Sequence, residues 1–172
     1  MTKILWFTGL SGTGKSTLAN ILSSKLSKLK FKVKVIDGDN FRKKKNNNNF
    51  SRTNIIKNNL SIISYVKKIQ TKYNFILVSV ISPLLKTRSM ARNKFGKNYF
   101  EIYLKCKIKT LEKRDTKKLY AKAKKNIIKN LIGYNSSIKY EMSRYKKITI
   151  NTDKLNKNKS IKVIINKVFK NK

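Results

Sequence analysis

Residues 9–16 read Gly9-Leu10-Ser11-Gly12-Thr13-Gly14-Lys15-Ser16, a full G-x-x-x-x-G-K-S, and Thr17 follows. Such a stretch is suited to holding phosphate. Its glycines let the backbone curl until successive N–H groups converge on one anion. A helix opening at its end turns its positive pole toward the same group. The lysine reaches the β- and γ-phosphates, and the serine hydroxyl can ligate Mg²⁺. Gly9, Ser11, Gly12, Thr13, Gly14, Lys15, Ser16 and Thr17 are therefore expected to surround a nucleoside triphosphate.

The second set of chemically useful residues is Val35-Ile36-Asp37-Gly38-Asp39-Asn40-Phe41-Arg42. The whole chain has 7 Asp plus Glu against 43 Lys plus Arg, and two of those acids, Asp37 and Asp39, stand two residues apart here. Asp-Gly is also turn chemistry, so a solvated turn is the plain alternative. The chain contains no histidine, which excludes Ser-His-Asp hydrolysis and His-ligated metal centres. Its single cysteine, Cys106, excludes an internal disulfide and a cysteine-rich zinc site, and is read as an incidental thiol.

These residues need a scaffold, and the 172-residue sequence outlines one. Strands are predicted at 3–8, 32–36, 75–81, 99–104 and 147–151, the first an apolar run ended by Gly9. Residues 75–81 (FILVSVI) are apolar but for Ser79, as expected of a central parallel strand buried on both faces. Helical spacing predicts helices over 15–29, 54–70, 87–95, 108–114, 117–129 and 159–169; Leu18, Ile21, Leu22, Leu26 and Leu29 form the apolar stripe of the first. Alternating strand and helix implies an α/β fold, a parallel β-sheet flanked by helices in a single domain over 1–172. The phosphate loop then follows the first strand, and Asp37 ends the second, where open parallel sheets bind ligands. The KKKNNNN stretch at 43–49 reads as a polar loop.

Taken together, the motifs resemble the adenylyl-sulfate kinase family of P-loop kinases. GLSGTGKST and IDGDNFR stand close to the family's GLSGAGKST and LDGDNVR. Phe50-Ser51 is similar to its FS segment, and Asn58 falls on its asparagine. Ile81-Ser82-Pro83 matches ISP, and Arg88, Ala91 and Arg92 match the stretch after it. Phe100–Leu104 resembles FIEVYV, and Arg114–Tyr120 resembles RDPKGLY. The likeness runs over about residues 3 to 152.

The resemblance implies an ATP-dependent kinase that phosphorylates the ribose 3′-hydroxyl of adenylyl sulfate, giving 3′-phosphoadenylyl sulfate, with ATP and Mg²⁺ as cofactors. On that basis Lys15 and Asp39 are catalytic, Asp39 accepting the hydroxyl proton. Ser16 and, through water, Asp37 serve Mg²⁺. Arg114 joins the ATP site, and the basic segment near 114–129 forms a lid. Asp39, Arg42, Phe50, Asn58, Ser82, Arg88 and Lys129 would hold the acceptor. A homodimer would be in keeping with the family.

Departures gather on the acceptor side. The family's FSxxDRxEN appears as Phe50-Ser51-Arg52-Thr53-Asn54-Ile55-Ile56-Lys57-Asn58, which puts isoleucine where an arginine is expected. The stacking phenylalanine of KxFTG becomes Leu131. Two readings follow: an adenylyl-sulfate kinase with drifted periphery, or a relative acting on another nucleotide such as cytidine diphosphoramidate in surface-polysaccharide modification.

The formal charge of +36 raises a third reading, a basic nucleic-acid-binding protein. Only Arg42, Arg52, Arg88, Arg92, Arg114 and Arg144 are arginines, and the lysines are scattered among Asn and Ile. That pattern points to A+T-rich codon drift and predicts only weak, non-specific nucleic-acid binding. No apolar run reaches the ~18 residues that span a bilayer. The N-terminus leads directly into the first strand rather than a cleavable signal, so a cytoplasmic location is expected.

Overall fold

The computed structural model describes residues 1–43, 50–145 and 147–169. Most of the polar 43–49 stretch therefore lies outside the described residues. The elements are β1 (Lys3–Thr8), α1 (Lys15–Lys28), β2 (Val33–Asp37), α2 (Gly38–Lys43), α3 (Arg52–Ile69), β3 (Phe75–Ser79), α4 (Leu85–Phe95), β4 (Tyr99–Lys105), α5 (Ile108–Arg114), α6 (Leu119–Lys124), β5 (Ile148–Asn151) and α7 (Lys157–Phe169). The strands form one five-stranded sheet in the order β2-β3-β1-β4-β5. Every pairing is parallel. The α/β class and strand positions agree with the sequence reading.

Strand alternation builds two apolar layers. Leu5, Phe7, Leu77, Ile102 and Ile150 face α1 and α7, meeting Leu18, Leu22, Leu26, Ile161 and Ile164. Ile4, Trp6, Ile76 and Val78 face the other way, onto Ile62, Ile63 and Val66 of α3 and Ala91 and Phe95 of α4. Side chains two apart share a face, so one buried strand supplies both layers. β1 lies at the centre, and the chain crosses to β2 on one side and β4 on the other. In such sheets the crevice opens at the strands' carboxyl ends, where the order reverses.

One alternative is closed and one helix boundary differs from expectation, each for a local reason. Asp37-Gly38 is not a solvated turn. Asp37 Oδ1 accepts from the N–H groups of Asp39 (3.0 Å) and Asn40 (3.2 Å), as an N-cap does, and so starts α2 directly on the end of β2. The helix expected over 117–129 is confined to 119–124. Lys118 and Asn126 bracket it with positive φ of 52° and 57°, conformations a helix cannot carry through.

Candidate functional site

The register of the strands brings the chemistry together. Asp37 pairs with Ser79, and Phe7 pairs with the same residue from the other side. The loop after β1 thus rises beside the ends of β2 and β3. Gly9 makes this close turn at φ 134°; a Cβ there would sit 2.6 Å from the Leu104 carbonyl oxygen. Gly14 then caps α1 in the left-handed region, φ 92°.

Ser11, Gly12, Thr13, Gly14, Lys15, Ser16 and Thr17 all line a cavity of about 870 Å³, as do Asp37, Asp39 and Arg114. Gly9 lies outside it and shapes the turn. Lys15 Nζ donates to Leu10 O at 2.8 Å across the loop. Burial lowers the Lys15 pKa to about 8, Lys117 adding to the effect while Asp39 and Asp37 oppose it. Ser16 Oγ donates to Asp37 Oδ2 at 2.5 Å and lies 3.0 Å from Ser79 Oγ.

This is a cluster of hard oxygen donors. Among the described residues no group of three or more His, Cys, Asp and Glu could cage a metal by itself. A hydroxyl and a carboxylate beside a phosphate site match the needs of Mg²⁺, which keeps several waters and takes phosphate oxygens. The residues present therefore fit that ion.

A second cavity, small at about 30 Å³, opens beside the first. Asp39, Arg42, Phe50, Asn58 and Ser82 line it, so five of the seven residues expected for an acceptor come together. Lys129 lies on a neighbouring hollow of about 710 Å³, which it shares with Phe50 and Arg52. Arg88 goes elsewhere. It is 1% exposed, and its guanidinium is spent on Ser82 O (2.5 Å), Glu141 O and the Glu101 carboxylate (3.4 Å). It lines none of the three cavities and supports the Ser82 backbone instead.

Asp39 stands between the two cavities and lines both. Its Oδ1 accepts from Arg42 Nη2 at 2.9 Å and its Oδ2 from Lys117 Nζ at 2.6 Å. Burial raises its pKa, but the hydrogen bond and charge of Lys117, with Arg42 and Lys15, outweigh that and hold it below the usual carboxylate range. The Arg42 guanidinium also lies over the Phe50 ring, 4.4 Å from its centroid. The substituted positions are apolar and packed. Ile55 meets Leu84 and Ile132, whereas Leu131 joins Leu111, Tyr120 and Ala123 and lines none of the three cavities.

Sequence reasoning missed several contributors. Thr152, Leu155 and Asn156 after β5 close the far wall of the large cavity, where Arg114 Nη2 donates to Thr152 O at 2.6 Å. Their position at the carboxyl end of a parallel strand was the available signal. Lys117 was visible in the motif, but its bond to Asp39 spans 78 residues. Cys106 is held by Asp153 at 3.3 Å, and burial raises its thiol pKa, consistent with an unreactive side chain.

A parallel sheet with this loop on its central strand, two carboxylates facing the loop and a second cavity alongside defines a P-loop kinase. Residues 1–151 match the Adenylylsulphate kinase family profile, and the chain belongs to that family. It is 37% identical over 163 residues to the adenylyl-sulfate kinase of Clostridium acetobutylicum, covering 94% of this chain and 80% of that one. A probable adenylyl-sulfate kinase of Archaeoglobus fulgidus is 35% identical, covering 90% of this chain and 98% of its relative. Among solved structures, the APS kinase CysC of Mycobacterium tuberculosis in complex with AMPPNP and APS superposes with a TM-score of 0.83 at 29% identity, covering 95% of this chain and 96% of that one.

Proposed function

We propose that the chain transfers the γ-phosphoryl group of ATP to the ribose 3′-hydroxyl of adenylyl sulfate, releasing ADP and 3′-phosphoadenylyl sulfate. The observation that carries this reading is Asp39, a carboxylate bordering both the phosphate-loop cavity and the smaller cavity beside it. Phosphoryl transfer depends chiefly on alignment and charge neutralisation. Lys15 and the loop amides hold the phosphates and stabilise charge on the transferred group. Asp39 orients the acceptor hydroxyl and takes its proton as the new P–O bond forms. With its pKa held low it is a weak base, so the proton moves late. Arg42 and Phe50 hold the acceptor, together with Asn58, Ser82 and Lys129; Arg88 acts only through the Ser82 carbonyl.

Ser16 and Asp37 would hold Mg²⁺, which when bound neutralises β- and γ-phosphate charge. Arg114, Thr152 and Leu155 close the ATP cavity, and Lys117 brings the segment after α5 over Asp39, excluding water that would otherwise hydrolyse ATP. Among the described residues no helix is long and apolar enough to cross a membrane. We assign the enzyme to the cytoplasm, where ATP is available, and leave the homodimer as a proposal drawn from the family.

The test is a side-by-side assay of ATP with adenylyl sulfate and with cytidine diphosphoramidate, following ADP release and the phosphorylated product. Efficient turnover of adenylyl sulfate is expected. A wide preference for the cytidine compound would replace the substrate and keep the phosphoryl chemistry.

A further inference from the structure

The backbone turn Ile81–Leu85, which supplies one wall of the smaller cavity, is held almost entirely by groups remote from it in sequence. Ser82 has φ 42°, a left-handed conformation that a side-chain-bearing residue adopts only when its surroundings enforce it. The enforcing contacts are identifiable. Thr8 Oγ1 donates to Ile81 O at 2.5 Å, Arg88 Nη1 to Ser82 O at 2.5 Å, and the Glu141 N–H to Pro83 O at 2.8 Å. The Ser82 hydroxyl donates to Asn59 Oδ1 at 2.5 Å and accepts from Trp6 Nε1 at 3.0 Å.

Glu141 contributes through both its main chain and its side chain, and its carbonyl also accepts from the Arg88 guanidinium that holds Ser82 O. Besides its main-chain bond to Pro83, its Oε2 accepts from the Leu85 N–H at 2.6 Å, capping α4 from a segment 56 residues away. α4 has no side-chain cap from its own Leu84. The preceding residue, Tyr140, sets its hydroxyl 2.9 Å from Thr8 Oγ1, next to the start of the phosphate loop. The Tyr140-Glu141 pair therefore bridges the phosphate-loop entry and the acceptor wall. A carboxylate accepting an orphan N–H at a helix start, here from a distant segment, fixes where that helix and the turn before it begin.

We propose that Glu141 is a positioning residue for the acceptor: by holding the Leu85 N–H and the Pro83 carbonyl, it sets the Ile81–Pro83 wall at the distance the acceptor needs from Asp39. This rests on the kinase reading above. Glu141 also pairs with Arg52 at 3.2 Å, but both partners are exposed and that contact contributes little.

The assignment separates reach from charge. Glu141→Gln keeps an oxygen at the right distance from Leu85 N–H and loses only the charge. Glu141→Asp keeps the charge and falls one methylene short. Glu141→Ala loses both. The experiment measures acceptor and ATP KM, kcat and the melting temperature of each variant, with hydrogen exchange at residues 81–88. The Ala and Asp variants are expected to raise acceptor KM by about 10- to 100-fold, the effect of a displaced positioning contact. ATP KM should stay within about two-fold, and the 81–88 amides should exchange faster. The Gln variant should lie near the parent. A parental KM in the Asp variant, equal changes in both KM values, or unchanged exchange at 81–88 in the Ala variant would each overturn the proposal. If the parent protein does not turn over adenylyl sulfate, the substrate reading fails by itself, and the exchange comparison still decides whether Glu141 holds the turn.

Discussion

The donor half and the acceptor half of the site are built from different materials. Around the phosphate loop, recognition is largely a matter of main-chain shape: Gly9 and Gly14 in conformations closed to most side chains, N–H groups at the start of α1, and one lysine. The smaller cavity, proposed for the acceptor, is instead walled by side chains drawn from α2, α3 and the Ile81–Pro83 turn. Ile55, which stands where the family pattern has an arginine, lines this cavity, whereas Leu131, in place of the stacking phenylalanine, packs away from it against Leu111 and Tyr120. Backbone donors are indifferent to the residue that carries them, so only the glycines and Lys15-Ser16 must be kept. A guanidinium or a stacking ring has no such substitute. A chain rich in Lys, Asn and Ile can thus keep the first kind of site intact while the second changes. The seven acids sharpen the same contrast. Asp115 caps α6 through Tyr120 and Ala121 N–H, and Glu101 sits between two arginines; each carboxylate has a structural partner in a chain that otherwise shuns them.

Substitutions on either side should fail in different ways. Lys15→Ala should lower kcat by about 10³-fold, the scale of removing one preorganised group at a developing charge. Its melting temperature should fall little, since the bond from Lys15 Nζ to Leu10 O is one contact in a loop whose turns are set by Gly9 and Gly14. Near-parental turnover would remove Lys15 from the chemistry. At the junction of the halves, Asp39→Asn should cost kcat about 10²-fold, the lower range for general-base catalysis. A change confined to acceptor KM would make Asp39 a binding group only.

On the acceptor side, Arg42→Ala deletes the cation over Phe50 and the partner of Asp39. A charged hydrogen bond is worth about 1.5–3 kcal/mol, so acceptor KM should rise about 10- to 100-fold with ATP KM unchanged. Equal weakening of ATP would erase the distinction between the halves. The smallest effect concerns pH. Lys15 in the free enzyme has a pKa of about 8 because burial disfavours its charge. As pH rises through about 8 it loses the proton that attracts phosphate, so kcat/KM for ATP should fall severalfold. The kcat itself should hold to higher pH, because bound phosphates keep the proton in place. A kcat/KM for ATP that stays level up to about pH 10, the ordinary lysine range, would show that Lys15 keeps its charge in the free enzyme.

Local chemistry and periodicity were sufficient for much of this protein. The phosphate loop is a contiguous backbone motif, and short apolar-rich stretches and helical spacing marked every strand and nearly every helix, because each depends on residues a few positions apart. Even α2 follows from a local N-cap at Asp37, although Asp-Gly can equally begin a turn and the sequence could not choose between them. The strand order β2-β3-β1-β4-β5, which sets the mouth of the crevice, is a different matter. So are the bond from Lys117 to Asp39, the burial of Arg88 beneath Ser82 and the capping of α4 by Glu141. Each joins groups separated by many residues, or depends on which of several available partners the packed chain brings within reach. No spacing in the sequence encodes that choice; it is made when two apolar layers close on the sheet and leave each buried charge only the neighbours it has.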